Sequence, residues 1–356
     1  MAKNLNTYKD SLHLIADILS FDYPTETLKH QIVSEDIDWD ALVVIASDHL
    51  ILTTVFARLQ QKNLLEYIPK ELENYLEQLT AINTNRNQDL LIDIQTISDI
   101  FNKEHIDYTF LKGAAMLVSG YYEHLGERML GDIDILVKHD HIQSAYQLLK
   151  DHGYIEKRSG LKSGFFEHKH LDRLAKEDGL CAIELHKYVL NKPVSDYLLS
   201  PSILKNKQFK ERIPIPSNKD LFLHNILNFQ INDEGHYYSK LGMRSAYDSI
   251  VLIHHHPELN QNYNEKVITS YMTLHSLLFD IFKTANFNLK KLKRFQSRLH
   301  SKSRNNVRKT LLSWNAYMRL IPSRLSTFLS NKNYRFAVYE DRRRIFKELK
   351  AKFLKG

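Results

Sequence analysis

Between residues 8 and 104 apolar side chains recur at mixed three- and four-residue spacing, as in LHLIADIL, WDALVVIASDHLILTTVFARLQQ and LLIDIQTISDIFNKE. That spacing gathers them on one face of a 3.6-residue helix, so several core-facing helices are predicted. At residue 106 the pattern changes. IDYTFLKG reads as a short strand ending in Gly113, AAMLVSGYYEH as a helix, and DIDILV alternates with the period of two that marks a strand. HIQSAYQLLKDHG follows as a helix with Gly153 near its C-terminal cap. GFFEHKHLDRLA and LCAIELHKYVL read as two more strands, separated by a turn at Lys176, Glu177, Asp178 and Gly179. After Pro216 helical spacing returns in KDLFLHNILNFQI, YSKLGMRSAYDSIVLIHHH and EKVITSYMTLHSLLFDIFKTA.

The expected fold is α+β, a small mixed-sheet core embedded between N-terminal and C-terminal helical regions. The expected divisions are 1–104, helical; 105–200, the α/β core; 201–284, helical; and 285–356, helical and basic. No Gly/Ser-rich linker or internal repeat sharpens these boundaries. With 356 residues, 43% of them hydrophobic, the chain has ample material for a core and is not mainly disordered. Cys181 is the only cysteine, which excludes an internal disulfide, and the start MAKNLNTYKD lacks signal-peptide character. The apolar run ALVVIASDHLILTTVFARL is interrupted by Ser47, Asp48 and His49, polar groups that are costly inside a bilayer. A soluble, cytoplasmic protein without a transmembrane segment is expected.

Charge is uneven. Residues 285–356 hold 20 Lys or Arg against 3 Asp or Glu, a net of +17, so the remainder carries 29 minus 39, or −10. A basic tail on an acidic body suggests RNA or another polyanion as partner, or attraction between the two halves. RFAVYEDRRRIFKELKAKFLKG at the end reads as an amphipathic docking helix, or as a nucleic-acid or anionic-membrane contact.

The candidate chemistry sits in the core. On a strand Asp132 and Asp134 share one face, while Ile133, Ile135 and Val137 take the other. Two adjacent carboxylates oppose each other's ionisation unless a cation compensates, and hard oxygen ligands suit Mg²⁺ or Mn²⁺. A third carboxylate would complete such a shell. Glu184 is the best candidate, with His186 on the same face; Asp172 and Asp178 are rivals in a charged stretch that looks like surface. Gly113, between a strand and a helix, would let the backbone approach a phosphate held by the helix amides. His168 and His170 alternate like a strand face and are candidates to lean toward the carboxylates or toward a phosphate. Other residues have plainer readings. His254, His255 and His256 read as a helix-end cluster; His224 and Asp248 read as buried hydrogen-bonding residues between helices. Tyr237, Tyr238 and Tyr247 are candidates to stack on a base.

Together these residues resemble the nucleotidyltransferase superfamily with a polymerase-beta-like core. The closer resemblance is to an uncharacterised bacterial nucleotidyltransferase group reading LKGAA, then an Arg, then GDIDILV, then an IELH-like strand. Here these are Leu111 to Ala115, Arg128, Gly131 to Val137 and Ile183 to His186. The resemblance covers residues 100 to 190 well, and more loosely a helical region to about 255. The broader pattern's Gly-Gly or Gly-Ser turn is Gly113-Ala114 here, and the interval to Asp132 is long. Lys112 and Arg128 are then expected to supply phosphate contacts.

The resemblance implies an enzyme that moves a nucleoside monophosphate from an NTP to an acceptor hydroxyl and releases pyrophosphate. Asp132, Asp134 and Glu184 would hold Mg²⁺ or Mn²⁺, while Lys112, Gly113, Ala114 and Arg128 would hold the nucleotide phosphates. His168, His170 and His186 would stand beside the acceptor. An RNA end, a protein side chain and a small molecule remain open as acceptors. The rival expectation is a catalytically silent nucleotide-binding or scaffold protein with a nucleic-acid-binding tail.

Overall fold

The computed structural model describes residues 4–5, 8–157, 165–166, 168–177, 179–191, 197–283, 289–299 and 302–354. Asp178, one of the rival carboxylates, lies outside them. The chain forms two compact units, residues 1–157 with 169–292, and residues 158–168 with 293–356.

The first unit opens with strand β1 (Asn4–Leu5), helices α1 (Tyr8–Leu19) and α2 (Thr25–Ser34), and strand β2 (Asp36–Ile37), which pairs with β1 in parallel. Helices α3 (Trp39–Asp48), α4 (Leu52–Gln61) and the 34-residue α5 (Lys70–Lys103) follow. Asp38 caps α3 by accepting from the Ala41 amide, the usual device for an orphan helix N–H. The polar break at Ser47 to His49 is where α3 ends and the chain bends by 119° into α4, whose residues Leu52 to Leu59 are buried. Among the described residues no single helix is long and apolar enough to cross a membrane.

The core then runs β3 (Tyr108–Phe110), α6 (Lys112–Ser119), β4 (Ile133–Val137), α7 (Ile142–Asp151), β5 (Ile155–Lys157), β6 (Arg173–Ala175) and β7 (Ile183–His186). Its five strands lie in the order β3-β4-β7-β6-β5, with β4 and β7 parallel and the other pairs antiparallel. This is the expected α+β arrangement. The elements are shorter than the hydropathy pattern suggests. Helix α6 stops at Ser119 because Gly120 takes φ +72°, a left-handed C-cap, and Gly153, at φ +86°, follows α7 in the same way. Among the described residues of the long GFFEHKHLDRLA run, only Arg173–Ala175 is strand.

Helix α8 (Ser200–Lys205) and a hairpin of β8 (Gln208–Lys210) and β9 (Ile213–Ile215) come next. Helices α9 (Asn218–Leu227), α10 (Gly235–Tyr238), α11 (Met243–His255) and α12 (Lys266–His275) complete the described part of this unit before α13. The last helices are α13 (Leu289–Leu299), α14 (Lys302–Ser330), α15 (Lys332–Glu340) and α16 (Arg342–Leu354). In the second unit Phe165 and Phe166 pack edge-on against Tyr334. Phe336, Tyr339 and Phe346 are exposed.

Candidate functional site

Strands β4 and β7 run side by side in one register, Asp134 opposite Glu184 and Leu136 opposite His186. Alternation puts Asp134, Glu184 and His186 on one face and sends Ile133, Ile135, Ile183 and Leu185 into the core on the other. His186 Nε2 lies 2.7 Å from Asp134 Oδ1 and 3.4 Å from Glu184 Oε2. All three residues are buried, and their ligand atoms lie within 4.8 Å of one another. Two carboxylate oxygens and an imidazole nitrogen at that spacing fit a small divalent cation. The nitrogen tilts the set from Mg²⁺ toward Mn²⁺ or another transition ion.

Cations of the chain itself crowd the same carboxylates. Lys112 Nζ reaches Asp134 Oδ1 at 2.5 Å, the same oxygen that faces His186. Lys112 stands at φ 50°, a left-handed conformation that a lysine adopts at a cost, at the turn from β3 into α6. The Leu111 amide donates to the Asp134 carbonyl at 2.8 Å, tying that turn to β4. Arg173 bridges two acids, Nε to Glu184 Oε1 at 2.7 Å and a terminal nitrogen to Asp132 Oδ2 at 3.4 Å. Asp132 precedes β4, and its side chain is a third exposed. Burial pushes the Asp132 carboxyl up, whereas at Asp134 burial is overcome by Lys112 and then His186, which hold it well below the usual range. Burial likewise works to raise Glu184, and the hydrogen bond from His186 brings it down.

His170 Nε2 stands 3.9 Å from Glu184 Oε2, and its backbone bridges to His186. Burial lowers its pKa. His168 belongs to the second unit. Asp172 is no member of the carboxylate-imidazole cluster.

Arg128 is buried in another pairing. Its Nε lies 3.1 Å from both carboxylate oxygens of Asp248 on α11, and a terminal nitrogen lies 2.9 Å from Oδ2. Tyr122 donates to the same carboxylate at 2.6 Å. Gly113 packs under this pair: a Cβ there would strike the Arg128 guanidinium and come within 3.1 Å of Leu130. Ala114, in the first turn of α6, is buried. Gly131 has neither a left-handed φ nor any atom near a hypothetical Cβ, so nothing local requires a glycine there.

The 121–131 loop is fastened from the N-terminal helices. Asn83 on α5 donates to the carbonyls of Gly126 and Arg128 at 2.7 and 3.0 Å, and Asn87 to those of Leu125 and Arg128 at 2.7 and 2.9 Å. Thr53 and Thr54 both donate to the Glu127 carbonyl. Arg86, on the same helix, donates to the carbonyls of Leu130 and Leu180 and to Cys181 Sγ. Sequence reading missed these three α5 residues. The available signal was an Asn83/Asn87 pair at i, i+4 inside an apolar stripe.

The remaining candidates divide. Asp248 is buried and hydrogen-bonded as expected, but its partners Tyr122 and Arg128 stand on the 121–131 loop rather than on a neighbouring helix. His224 is buried too, 1% exposed, but neither ring nitrogen has a hydrogen-bond partner among the described residues. Burial, aided by Lys112 and Lys169, pushes its pKa down to about 3. Tyr247 is buried and donates to Glu127. His254 stacks on Phe21, while His255 and His256 pack on Tyr121, so the three converge on aromatic rings rather than on one point.

A family model described as an uncharacterised nucleotidyltransferase matches residues 35–286, more than half of the chain. No curated protein matches it.

Proposed function

Since the chain belongs to this family of uncharacterised nucleotidyltransferases, we propose that it transfers a nucleoside monophosphate from an NTP to an acceptor hydroxyl. The observation that carries the reading is the β4–β7 register, which sets Asp134, Glu184 and His186 on one face beside Lys112. A bound Mg²⁺ or Mn²⁺ would polarise the α-phosphate and neutralise the leaving pyrophosphate. Asp132, Asp134 and Glu184 would hold that ion, with the His186 nitrogen as a further ligand. Lys112 offsets phosphate charge near Asp134, and Arg128 braces the site through Asp248. A carboxylate accepts the acceptor's proton as the new oxygen–phosphorus bond forms and the α–β bridging bond breaks. Gly113 and Ala114 place the first turn of α6 at the phosphates, and His170 flanks the acceptor side. The acceptor is an RNA end, a protein side chain or a small molecule.

The second reading, a nucleotide binder without turnover, is favoured by Lys112 and Arg173, which already pair with the three carboxylates. Incubating the protein with α-labelled NTPs, Mg²⁺ or Mn²⁺, cellular RNA, protein extract and a small-molecule extract separates the two. Label carried into any fraction, and lost in Asp132→Asn/Asp134→Asn, supports the transferase. NTP binding with no label in any fraction supports the silent binder.

A further inference from the structure

Beside the carboxylate cluster, and sharing Lys112 with it, a cavity of about 210 Å³ opens between α6, α9, α11 and the α3–α4 turn. Three basic side chains line it, Lys112, Arg128 and Arg244, and three acidic ones, Asp48, Asp233 and Asp248. Their pairings differ. Arg128 and Asp248 are closed on each other, and Lys112 is on Asp134. Asp48 is exposed at the rim. The Arg244 guanidinium takes part in no hydrogen bond or ion pair among the described residues, and Asp233 is within electrostatic reach without bonding to it.

Arg244 is therefore a half-buried cation whose donors open onto the cavity, with a second cation, Arg128, near it and the Asp248 and Asp233 carboxylates within electrostatic reach. A charge in that position costs stability unless an anion completes it. It stands in the first turn of α11, a 13-residue helix whose N-cap, Gly242, supplies no side-chain cap. Gly242, Met243 and Ser245 also line the cavity, so the positive end of that helix faces it as well.

We propose that this cavity receives the β- and γ-phosphates of the nucleoside triphosphate, and that Arg244 is the arginine that grips them. The assignment rests on the transferase reading for the identity of the ligand, but the anion site itself does not. Arg128, the arginine suggested by the sequence motif, then acts as a positioning residue: with Asp248 it forms the wall against which Arg244 is held. Phosphates seated there would lie next to Lys112, and through it next to Asp134, which places the α-phosphate toward the β4–β7 face.

The test is calorimetric titration of the full chain with inorganic tripolyphosphate and with ATP, for wild type, Arg244→Gln, Arg244→Lys and Arg244→Met. Arg244→Gln is expected to weaken tripolyphosphate binding at least tenfold, and Arg244→Lys to recover part of it, a point charge replacing a fork. Arg244→Met is expected to raise the melting temperature while weakening binding, because an unpaired cation leaves the interior. A merely structural arginine would move stability the other way. Tripolyphosphate binding that is absent in wild type, or equal in wild type and Arg244→Gln, overturns the proposal. If binding depends on Arg244 but no label is transferred, the cavity stands and the transferase reading falls. If transfer proceeds and Arg244→Gln leaves ATP affinity unchanged, the reverse holds.

Discussion

The guanidinium of Arg128 occupies the space that a Cβ on Gly113 would need. The motif glycine is thus required by the protein's own arginine, whose position is fixed in turn by Asp248. An ordinary exposed arginine would swing aside, whereas this one is held through three close nitrogen–oxygen contacts.

Gly113→Ala is accordingly expected to destabilise the fold by about 1–3 kcal/mol, the usual cost of overpacking. Gly131→Ala meets nothing within 4 Å and should stay within about 0.5 kcal/mol of wild type. Urea denaturation of the two variants side by side checks the contrast. Equal losses would mean that the Arg128 contact does not constrain Gly113.

Asp248→Asn leaves Arg128 buried without a counter-charge. A loss of about 3–5 kcal/mol is expected, and replacing both partners with apolar residues, as in Arg128→Met/Asp248→Leu, should restore much of it. A double-mutant cycle on denaturant midpoints measures the coupling. Independent, additive losses would show that the pair is not a unit.

Stability should fall in mild acid. Burial holds His224 down to about 3 and His275 down to about 4, against 6.5 for an unperturbed histidine. The unfolded chain then binds protons that the folded chain refuses, so stability is full above pH 6.5 and declines as pH falls toward 4. The slope is about 1.4 kcal/mol per pH unit for each histidine. His224→Leu, which removes a side chain without a hydrogen-bond partner among the described residues, should flatten the decline between pH 6.5 and 4.5 while changing stability little at pH 8. An unchanged slope would mean that His224 is protonated in the fold.

The imidazole in the cluster predicts a metal preference. Mn²⁺ at a hundredfold excess over its dissociation constant should stabilise the wild-type chain by about 2.7 kcal/mol, and Mg²⁺ at the same concentration by less. His186→Asn should shrink the Mn²⁺ effect at least tenfold in affinity and the Mg²⁺ effect less. Thermal melts in chelator, Mg²⁺ and Mn²⁺ read both, and identical responses to the two ions in wild type would count against His186 as a ligand.

Much of the core was legible because it is written in adjacent residues. The period of two in DIDILV and IELH marks strands β4 and β7, and the shared face of Glu184 and His186 follows from alternation alone. What could not be read is what meets across the sheet. Arg173 looks like surface in HLDRLAKEDG, yet its position on β6, next to β7, brings it to Glu184 and Asp132. Arg128 looked like a phosphate ligand until the fold supplied Asp248 from 120 residues away. Arg244 was hidden too, because its lack of a hydrogen bond or ion pair among the described residues is a property of packing and leaves no trace in the local pattern. Short elements were overextended for a related reason: apolar alternation continues past β6 and β7, but backbone pairing does not.

Arg86 gives the division of labour a temporal order. From α5 it holds the chain at Leu130 and at Leu180 and Cys181, just before the two strands begin, and Ile133 N–H donates to the Ala182 carbonyl at 2.9 Å. A slip of one residue between β4 and β7 would turn Asp134 toward the core and an isoleucine toward the ligand. The ladder joins segments about fifty residues apart, and such contacts form late in folding. A newly made chain should therefore build α5 first and acquire its chemistry last. Residues 105–200, expressed alone, would carry every motif but lack the Arg86 brace on their alignment.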